Sequence, residues 1–199
     1  MVIDTLLMFS GGLDSTGAFW QLMQDKQNIH VHHMNLKNVE QRSIAESKST
    51  ADIVNYMKNI GSFTYSESIH EYPSYKGNFM WDGDIASFMA GSICTSMSSI
   101  KKVAFGRTAT DDANASTHVR VERANKIFSA MCQAVKIYPV QHLTKLEIYE
   151  MLPNELRELT WSCRTPIYKD DKILPCKHCI TCYSMSKIGI KQVPLDHNQ

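Results

Sequence analysis

The sequence predicts an α/β fold in which five parallel strands form one sheet with helices on both faces. Strand-like apolar segments alternate with segments of helical spacing over the first 140 residues. This alternation is typical of parallel sheets, because consecutive parallel strands are joined by a crossover that is usually a helix. The chain has 199 residues, 43% of them hydrophobic, which suffices for one compact core and not for two full domains.

The expected elements of the first half are a strand at 3–9, a helix at 13–25, a strand at 29–35, a helix at 41–58 and a weaker strand at 62–67. Those of the second half are a helix at 84–99, a strand at 102–106, a helix at 118–135, a strand at 137–140 and a helix at 144–151. Thr144 and Glu147 have the spacing of a capping box at the start of the last helix. The segment 70–83, rich in Tyr, Pro, Gly and Trp, fits neither period and is predicted to be a loop or lid.

A glycine-rich loop joins the first strand to the first helix. It reads Ser10-Gly11-Gly12-Leu13-Asp14-Ser15 and follows the apolar run Thr5–Phe9. The free backbone N–H groups and the positive end of the helix dipole at such a junction bind anionic oxygens. ATP is therefore the first ligand to consider, and the absence of a Walker lysine argues against simple γ-phosphoryl transfer. The alternative is a turn without a ligand, capped by Ser10 or Asp14.

Four of the six cysteines lie in the last forty residues and have metal-ligand spacing. They are Cys163, Cys176, Cys179 and Cys182. Four thiolates suit a closed, structural zinc site, and an iron-sulfur cluster is the alternative. We therefore divide the chain into a sheet domain, 1–158, and a zinc-binding segment, 159–199. Cys94 and Cys132 lie on apolar helical faces and are expected in the core.

The charge balance favours a small-molecule substrate. Lysine and arginine total 21 against 20 acidic residues, which predicts neither a nucleic-acid groove nor a membrane surface. No run of about 18 apolar residues is present, and Met1 leads into a strand without a basic leader. We expect a cytoplasmic protein that contacts neither nucleic acid nor membrane.

The loop sequence resembles that of the PP-loop ATP pyrophosphatases. Combined with the cysteine pattern, it makes nearly the whole chain similar to the QueC family of 7-cyano-7-deazaguanine synthases. The intermediate matches are Gln41-Arg42 with Glu46, Thr110-Asp111 after Gly106, Lys145 with Glu147, and Thr160-Trp161-Ser162-Cys163. Two segments depart from the family. Val39-Glu40 and Ser43 replace the glycine and histidine around Gln41-Arg42, and Trp81-Asp82-Gly83-Asp84 stands where the family has Pro-Gly-Arg-Asn.

The resemblance implies a Rossmann-like sheet of the adenine nucleotide α-hydrolase type and an ATP-dependent ligase. Such an enzyme adenylates 7-carboxy-7-deazaguanine and aminates it with ammonia to the amide and then the nitrile, for queuosine or other deazaguanine modification. The implied cofactors are structural Zn²⁺ and ATP with Mg²⁺, and self-association as a homodimer is expected. The alternatives are a variant that stops at the amide or transfers the activated deazaguanine to another acceptor, and a non-enzymatic nucleotide-binding zinc module.

The resemblance also assigns the site. The residues expected to bind ATP are Phe9, Ser10, Gly11, Gly12, Leu13, Asp14, Ser15, Thr16 and Gly106. Asp14 would orient the loop or a magnesium ion, or only cap the helix, while Arg42 and Lys145 would neutralise developing charge or lie on a solvated surface. The residues expected to bind the deazapurine are Gln41, Arg42, Trp81 and Asp111. Asp111 would accept hydrogen bonds from the base or cap its loop, and Trp81 or Phe79 would stack on the base or pack in the loop.

Overall fold

A computed structural model describes residues 2–72, 81–113 and 115–196. It contains a five-stranded sheet in the order β3-β2-β1-β4-β5, and every pair in it is parallel. The elements of this domain are β1 Thr5–Phe9, α1 Leu13–Gln24, β2 Ile29–Lys37, α2 Ser43–Lys58, β3 Thr64–Glu71, α3 Asp82–Ser96, β4 Lys102–Ala104, α4 Ala115–Met131, β5 Val135–Ile137, α5 Lys145–Met151 and α6 Asn154–Glu158. The predicted α/β class and parallel sheet are confirmed.

Alternate residues of the central strand β1 enter two different cores. Leu7 and Phe9 pack with α1, α2 and α5 on one face, whereas Leu6 and Met8 pack with α3 and α4 on the other. All five residues of β1 are buried, as expected for a strand covered on both faces. The carboxyl ends of β1, β2 and β4 therefore lie at one edge of the sheet, between the two helical layers.

Several elements differ in extent from the sequence prediction. The last strand of the sheet ends at Ile137 rather than beginning there, since Pro139 lacks the N–H that a continuing ladder needs. Helix α4 ends at Met131 rather than at 135. β3 continues to Glu71, paired with β2 along its whole length. The polar side chains of β3 give no apolar pattern that would predict its full length, because an edge strand need not bury both faces. The predicted capping box is present, with Thr144 N–H donating to Glu147 Oε2 at 2.7 Å.

The chain after α6 forms a small antiparallel sheet that the sequence did not predict. Its elements are β6 Ile167–Lys169, β7 Lys172–Leu174, α7 Ile180–Lys187 and β8 Leu195–Asp196, with strand order β6-β7-β8. Trp161 connects this segment to the main domain, because its backbone N–H donates to Gly11 O at 2.9 Å. Trp161 also packs with Ala45 of α2 and with three of the cysteines. None of the described helices has the length and apolar character needed to cross a bilayer.

Candidate functional site

The glycine loop is held from behind by two other parts of the chain. Gly11 has φ +73°, and its carbonyl oxygen accepts hydrogen bonds from Trp161 N–H at 2.9 Å and from Ser49 Oγ at 2.8 Å. A Cβ at Gly11 would lie 2.9 Å from both Ser49 Oγ and Thr50 Oγ1. The position therefore requires glycine for its conformation and for its space.

Helix α1 begins at this loop without a side-chain cap. Gly12 is the N-cap residue, and the described part of the chain shows no side-chain cap hydrogen bond at this helix start. The hydroxyls of Ser15 and Thr16 both point back to Gly12 O, at 3.1 and 2.9 Å. The expected alternative, a turn capped by Ser10 or Asp14, is not what the chain forms. The first-turn N–H groups lack intrahelical acceptors by the geometry of any α-helix, so they remain able to bind an anion.

An open cavity of about 500 Å³ lies in front of these N–H groups. We call it the glycine-loop cavity. Among the ATP-site residues expected from the sequence, those that line it are Phe9, Ser10, Gly12, Leu13, Asp14, Ser15 and Gly106. Gly11 is not among the described residues that line the cavity, and Thr16 is fully buried. A Cβ at Gly106 would lie 2.5 Å from Ser15 N, so the loop after β4 comes into backbone contact with the start of α1.

The three expected catalytic side chains line this cavity. Lys145 Nζ donates to Asp14 Oδ2. Burial raises the pKa of Asp14, while the charge of Lys145 and its hydrogen bond oppose the rise. Asp14 Oδ1 is buried and accepts no hydrogen bond in the described part of the chain. A buried carboxylate oxygen without a donor suits a cation such as Mg²⁺, which prefers oxygen ligands.

Arg42, by contrast, is surrounded by carboxylates of this chain. It contacts Glu40 at 2.9 Å, Glu46 at 3.1 Å and Asp82. Glu40 also contacts Arg164 at 2.7 Å. Burial raises the pKa of Glu46, and the charge of Arg42 opposes it. Arg42 thus neutralises carboxylates of its own chain. One of them, Asp82, belongs to the segment Trp81–Asp84, which departs from the QueC pattern.

A second cavity of about 430 Å³ adjoins the first. The residues that line both are Asp14, Gly83, Phe105, Gly106, Asp111 and Arg164. Because the basic side chains Arg107, Arg120 and Lys136 line only the second cavity, we call it the basic cavity. Trp81 lines it as well, at the N-cap of α3. Lys136 is not among the site residues expected from the sequence, where its only signal is a lone cation in the short strand Val135–Ile137.

The remaining expected substrate residues have structural partners. Asp111 Oδ2 accepts hydrogen bonds from Thr108 N–H at 3.0 Å and Thr108 Oγ1 at 3.1 Å, so it stabilises its own loop besides lining both cavities. Gln41 has φ +51° and accepts a hydrogen bond from Tyr168 through its backbone carbonyl at 2.6 Å. Gln41 is not among the described residues that line either cavity. Phe79, considered for stacking on the base, lies outside the described residues.

The four predicted metal ligands come together. The sulfur atoms of Cys163, Cys176, Cys179 and Cys182 all lie within 4.8 Å of one another, and Cys176 Sγ is 4.0 Å from Cys182 Sγ. Four sulfurs around a zinc ion are about 3.8 Å apart, given a Zn–S distance of about 2.3 Å. All four cysteines are free rather than disulfide-bonded. The segment therefore forms a cluster that can hold a metal ion such as zinc.

The surroundings of the cluster favour a thiolate at Cys176, whereas burial raises the pKa values of Cys163 and Cys182. The backbone N–H of Cys176 donates to Cys163 Sγ at 3.3 Å, and that of Cys179 donates to Cys176 Sγ at 3.3 Å. Burial raises the pKa of Cys176, but the hydrogen bonds, first that from Thr165 Oγ1, outweigh it and lower the pKa to about 6. Such N–H···S hydrogen bonds orient and stabilise metal-binding sulfurs. Cys94 is buried in the core with α3, as expected, and Cys132 packs against it from beyond α4.

The segment that carries the four cysteines also contributes to the glycine-loop cavity. Ile180, Thr181 and Ser184, on the helix that begins after Cys179, line it together with Ser162. The fold and site therefore define an α/β protein with a parallel sheet, a glycine loop and uncapped helix start facing an open cavity, and a four-cysteine cluster whose neighbours in the chain line that cavity. No protein-family model matches the chain, and a search of curated proteins finds no match.

Proposed function

We propose that this protein is an ATP-dependent ligase that adenylates 7-carboxy-7-deazaguanine and aminates it with ammonia, as the QueC-like motifs imply. The single observation that carries the proposal is the uncapped start of α1 at Gly12, facing an open cavity. In this proposal the fold is of the adenine nucleotide α-hydrolase type, and the first-turn N–H groups of α1 donate hydrogen bonds to the pyrophosphate of ATP. Asp14 and Lys145 then lie beside the phosphates, with Mg²⁺ at Asp14 Oδ1.

The rest of the glycine-loop cavity supports a nucleoside. Met8, Met34, Leu36 and Ala86 line it beyond the loop, and an apolar wall of this kind suits the flat faces of a purine. Two of the carboxylates around Arg42, Glu46 and Asp82, line the same cavity. They provide acceptors for N–H and O–H groups of a base or a ribose, a role opposite in sign to the charge neutralisation expected of Arg42 from the sequence.

The proposed chemistry needs no protein nucleophile. An oxygen of the substrate carboxylate attacks the α-phosphorus of ATP, and pyrophosphate leaves with the electron pair of the broken P–O bond. Ammonia then attacks the carbonyl carbon of the acyl adenylate, AMP leaves, and the nitrogen loses a proton to give the amide. A second ATP activates the amide oxygen, and loss of AMP and protons leaves the nitrile. Catalysis depends on positioning and on stabilising charge at the α-phosphate.

Pyrophosphate release tests the proposal. We expect release that requires ATP, 7-carboxy-7-deazaguanine and ammonia together for multiple turnovers, and that falls at least about a hundredfold in Ser15→Ala. Ser129→Ala, which removes an exposed hydroxyl from α4, is the matched control and should keep full activity. Release at an equal rate without the deazapurine would reject the substrate, and no release under any condition would reject the ligase. Mass analysis of the product separates the nitrile from the amide and from transfer to another acceptor.

A further inference from the structure

The basic cavity differs in charge from the glycine-loop cavity beside it. Among the described residues, the glycine-loop cavity is lined by four carboxylates and three basic side chains, whereas the basic cavity is lined by two carboxylates and four basic side chains. Asp14 and Asp111, the two acids of the basic cavity, already accept hydrogen bonds from Lys145 and Thr108. The basic cavity is therefore the more favourable of the two for an anion.

Lys136 is a partly buried cation of this cavity whose described hydrogen-bond partners are all neutral. Its Nζ donates to Ser87 Oγ at 2.9 Å, Ala124 O at 3.2 Å and Asn125 Oδ1 at 3.1 Å. These three acceptors are neutral, and no ion pair joins Lys136 to a carboxylate within 2–72, 81–113 and 115–196. Burial lowers the pKa of Lys136 to about 8. The fold thus places a cation inside the cavity without neutralising it.

Aromatic rings surround the same cation. Lys136 Nζ lies 5.1 Å from the centroid of Phe105 and 4.9 Å from that of Phe128. Arg107 lies over the ring of Tyr138 at 5.3 Å, and Phe105 and Tyr138 both line the cavity. A flat aromatic ligand can stack on such a wall, and the positive charges favour a ligand that carries an anionic substituent.

The two cavities meet at Asp14, Phe105 and Gly106. A ligand in the basic cavity therefore lies next to the start of α1, where the proposed function places the phosphates of ATP. An attack on the α-phosphorus needs a neighbouring site of this kind, since the attacking oxygen must lie within about 3.5 Å of the phosphorus.

We propose that the basic cavity is the subsite of the acceptor substrate and that it selects a planar aromatic carboxylate. The inference rests on the proposed function and deepens it by assigning the acceptor to this cavity rather than to the surroundings of Arg42. Because all three N–H groups of Lys136 are engaged, Lys136 is a positioning residue that acts through its charge. Arg120, exposed on α4 at the rim, adds to the same field.

Binding of two ligands that differ only in charge tests this subsite. The probes are 7-carboxy-7-deazaguanine and its neutral amide, titrated calorimetrically into the whole protein with and without α,β-methylene ATP, which cannot be split at the α-phosphorus. We expect Lys136→Met to weaken carboxylate binding about tenfold and amide binding less than about twofold. Arg120→Gln should weaken carboxylate binding in the same direction without touching the core. Lys126→Met, an exposed lysine on the same helix, should leave both affinities unchanged.

Three outcomes overturn the inference. The first is that the carboxylate does not bind the unmodified protein, with or without α,β-methylene ATP. The second is that neither Lys136→Met nor Arg120→Gln changes the affinity for the carboxylate, and the third is that Lys136→Met weakens binding of carboxylate and amide equally. The last would show that Lys136 has only a structural role. The outcome is separable from that of the proposed function. Charge-selective binding without pyrophosphate release would reject the ligase and keep the subsite, whereas pyrophosphate release with unchanged affinity in both variants would reject the subsite and keep the ligase.

Discussion

Lys145 donates to Asp14, so the first residue of α5 is ion-paired with the second residue of α1 across the glycine-loop cavity. The two residues are 131 positions apart in the sequence. Their helices pack closely, because Gly17 of α1 leaves room for Ile148 of α5: a Cβ at Gly17 would lie 2.5 Å from Ile148 Cγ2. The pair is therefore held at the mouth of the site by the packing of two helices.

Lys145→Met should reduce pyrophosphate release about a hundredfold, because it removes a cation beside the proposed phosphates. It should also move the acid limb of the pH profile of kcat/KM to higher pH. Lys145 lowers the pKa of Asp14 against the effect of burial, so without it Asp14 takes up a proton at higher pH. Lys126→Met should leave the profile unchanged. An acid limb at the same pH in Lys145→Met would contradict the assignment of that limb to Asp14.

Gly11→Ala should destabilise the protein by about 3 kcal/mol, because an alanine there both adopts a left-handed conformation and collides with Ser49 and Thr50. Gly189 is the matched control. It has φ +77°, but a Cβ there would meet nothing within 4 Å. Gly189→Ala should therefore cost only about 1 kcal/mol, the conformational part. Urea denaturation measures both, and equal losses would show that the contacts behind the loop contribute little.

Arg42→Met should cost about 3 kcal/mol of unfolding free energy, since it leaves Glu40, Glu46 and Asp82 without their shared cation. Adding Asp82→Asn should recover part of that loss, because one of the uncompensated charges is then removed. Lys126→Met breaks an exposed ion pair with Glu122 and should change stability by less than about 0.5 kcal/mol. If the double variant were as unstable as Arg42→Met, the repulsion among these carboxylates would not be the cause.

Cys179→Ser should abolish binding of one metal ion per chain, as measured by native mass spectrometry. The melting temperature of the Cys179→Ser variant should be about 10 °C lower, because the metal ion would hold the last forty residues together in place of a large core. Cys132→Ser, a cysteine outside the cluster, should retain the metal. Retention of the metal in Cys179→Ser would contradict the four-sulfur site, and a brown, visibly absorbing protein would indicate an iron-sulfur cluster in place of zinc.

The strand-glycine-helix order at the start of the chain and the spacing of the last three cysteines are local patterns. Local patterns depend on backbone conformation and short-range packing, so the sequence could predict the parallel sheet, the start of α1, the capping box at Thr144 and the gathering of the four cysteines. The limits of β3 and β5 were less predictable, since an edge strand is defined by its hydrogen bonds to a neighbour and not by its own side chains.

Charge partners distant in the chain, in contrast, were decided by the tertiary structure. Arg42 and Lys145 are both basic residues near a polar loop. The sequence places Glu40 and Glu46 close to Arg42, but it indicates neither Asp82 as a partner of Arg42 nor Asp14 as a partner of Lys145. Folding gives Lys145 one carboxylate from α1, but it gives Arg42 three, including Asp82 from forty positions away. Lys136 becomes an unneutralised cation only because α3 and α4 place neutral oxygens around it. Electrostatic interaction depends on distance in space and on burial, and both are set when helices distant in the chain pack together.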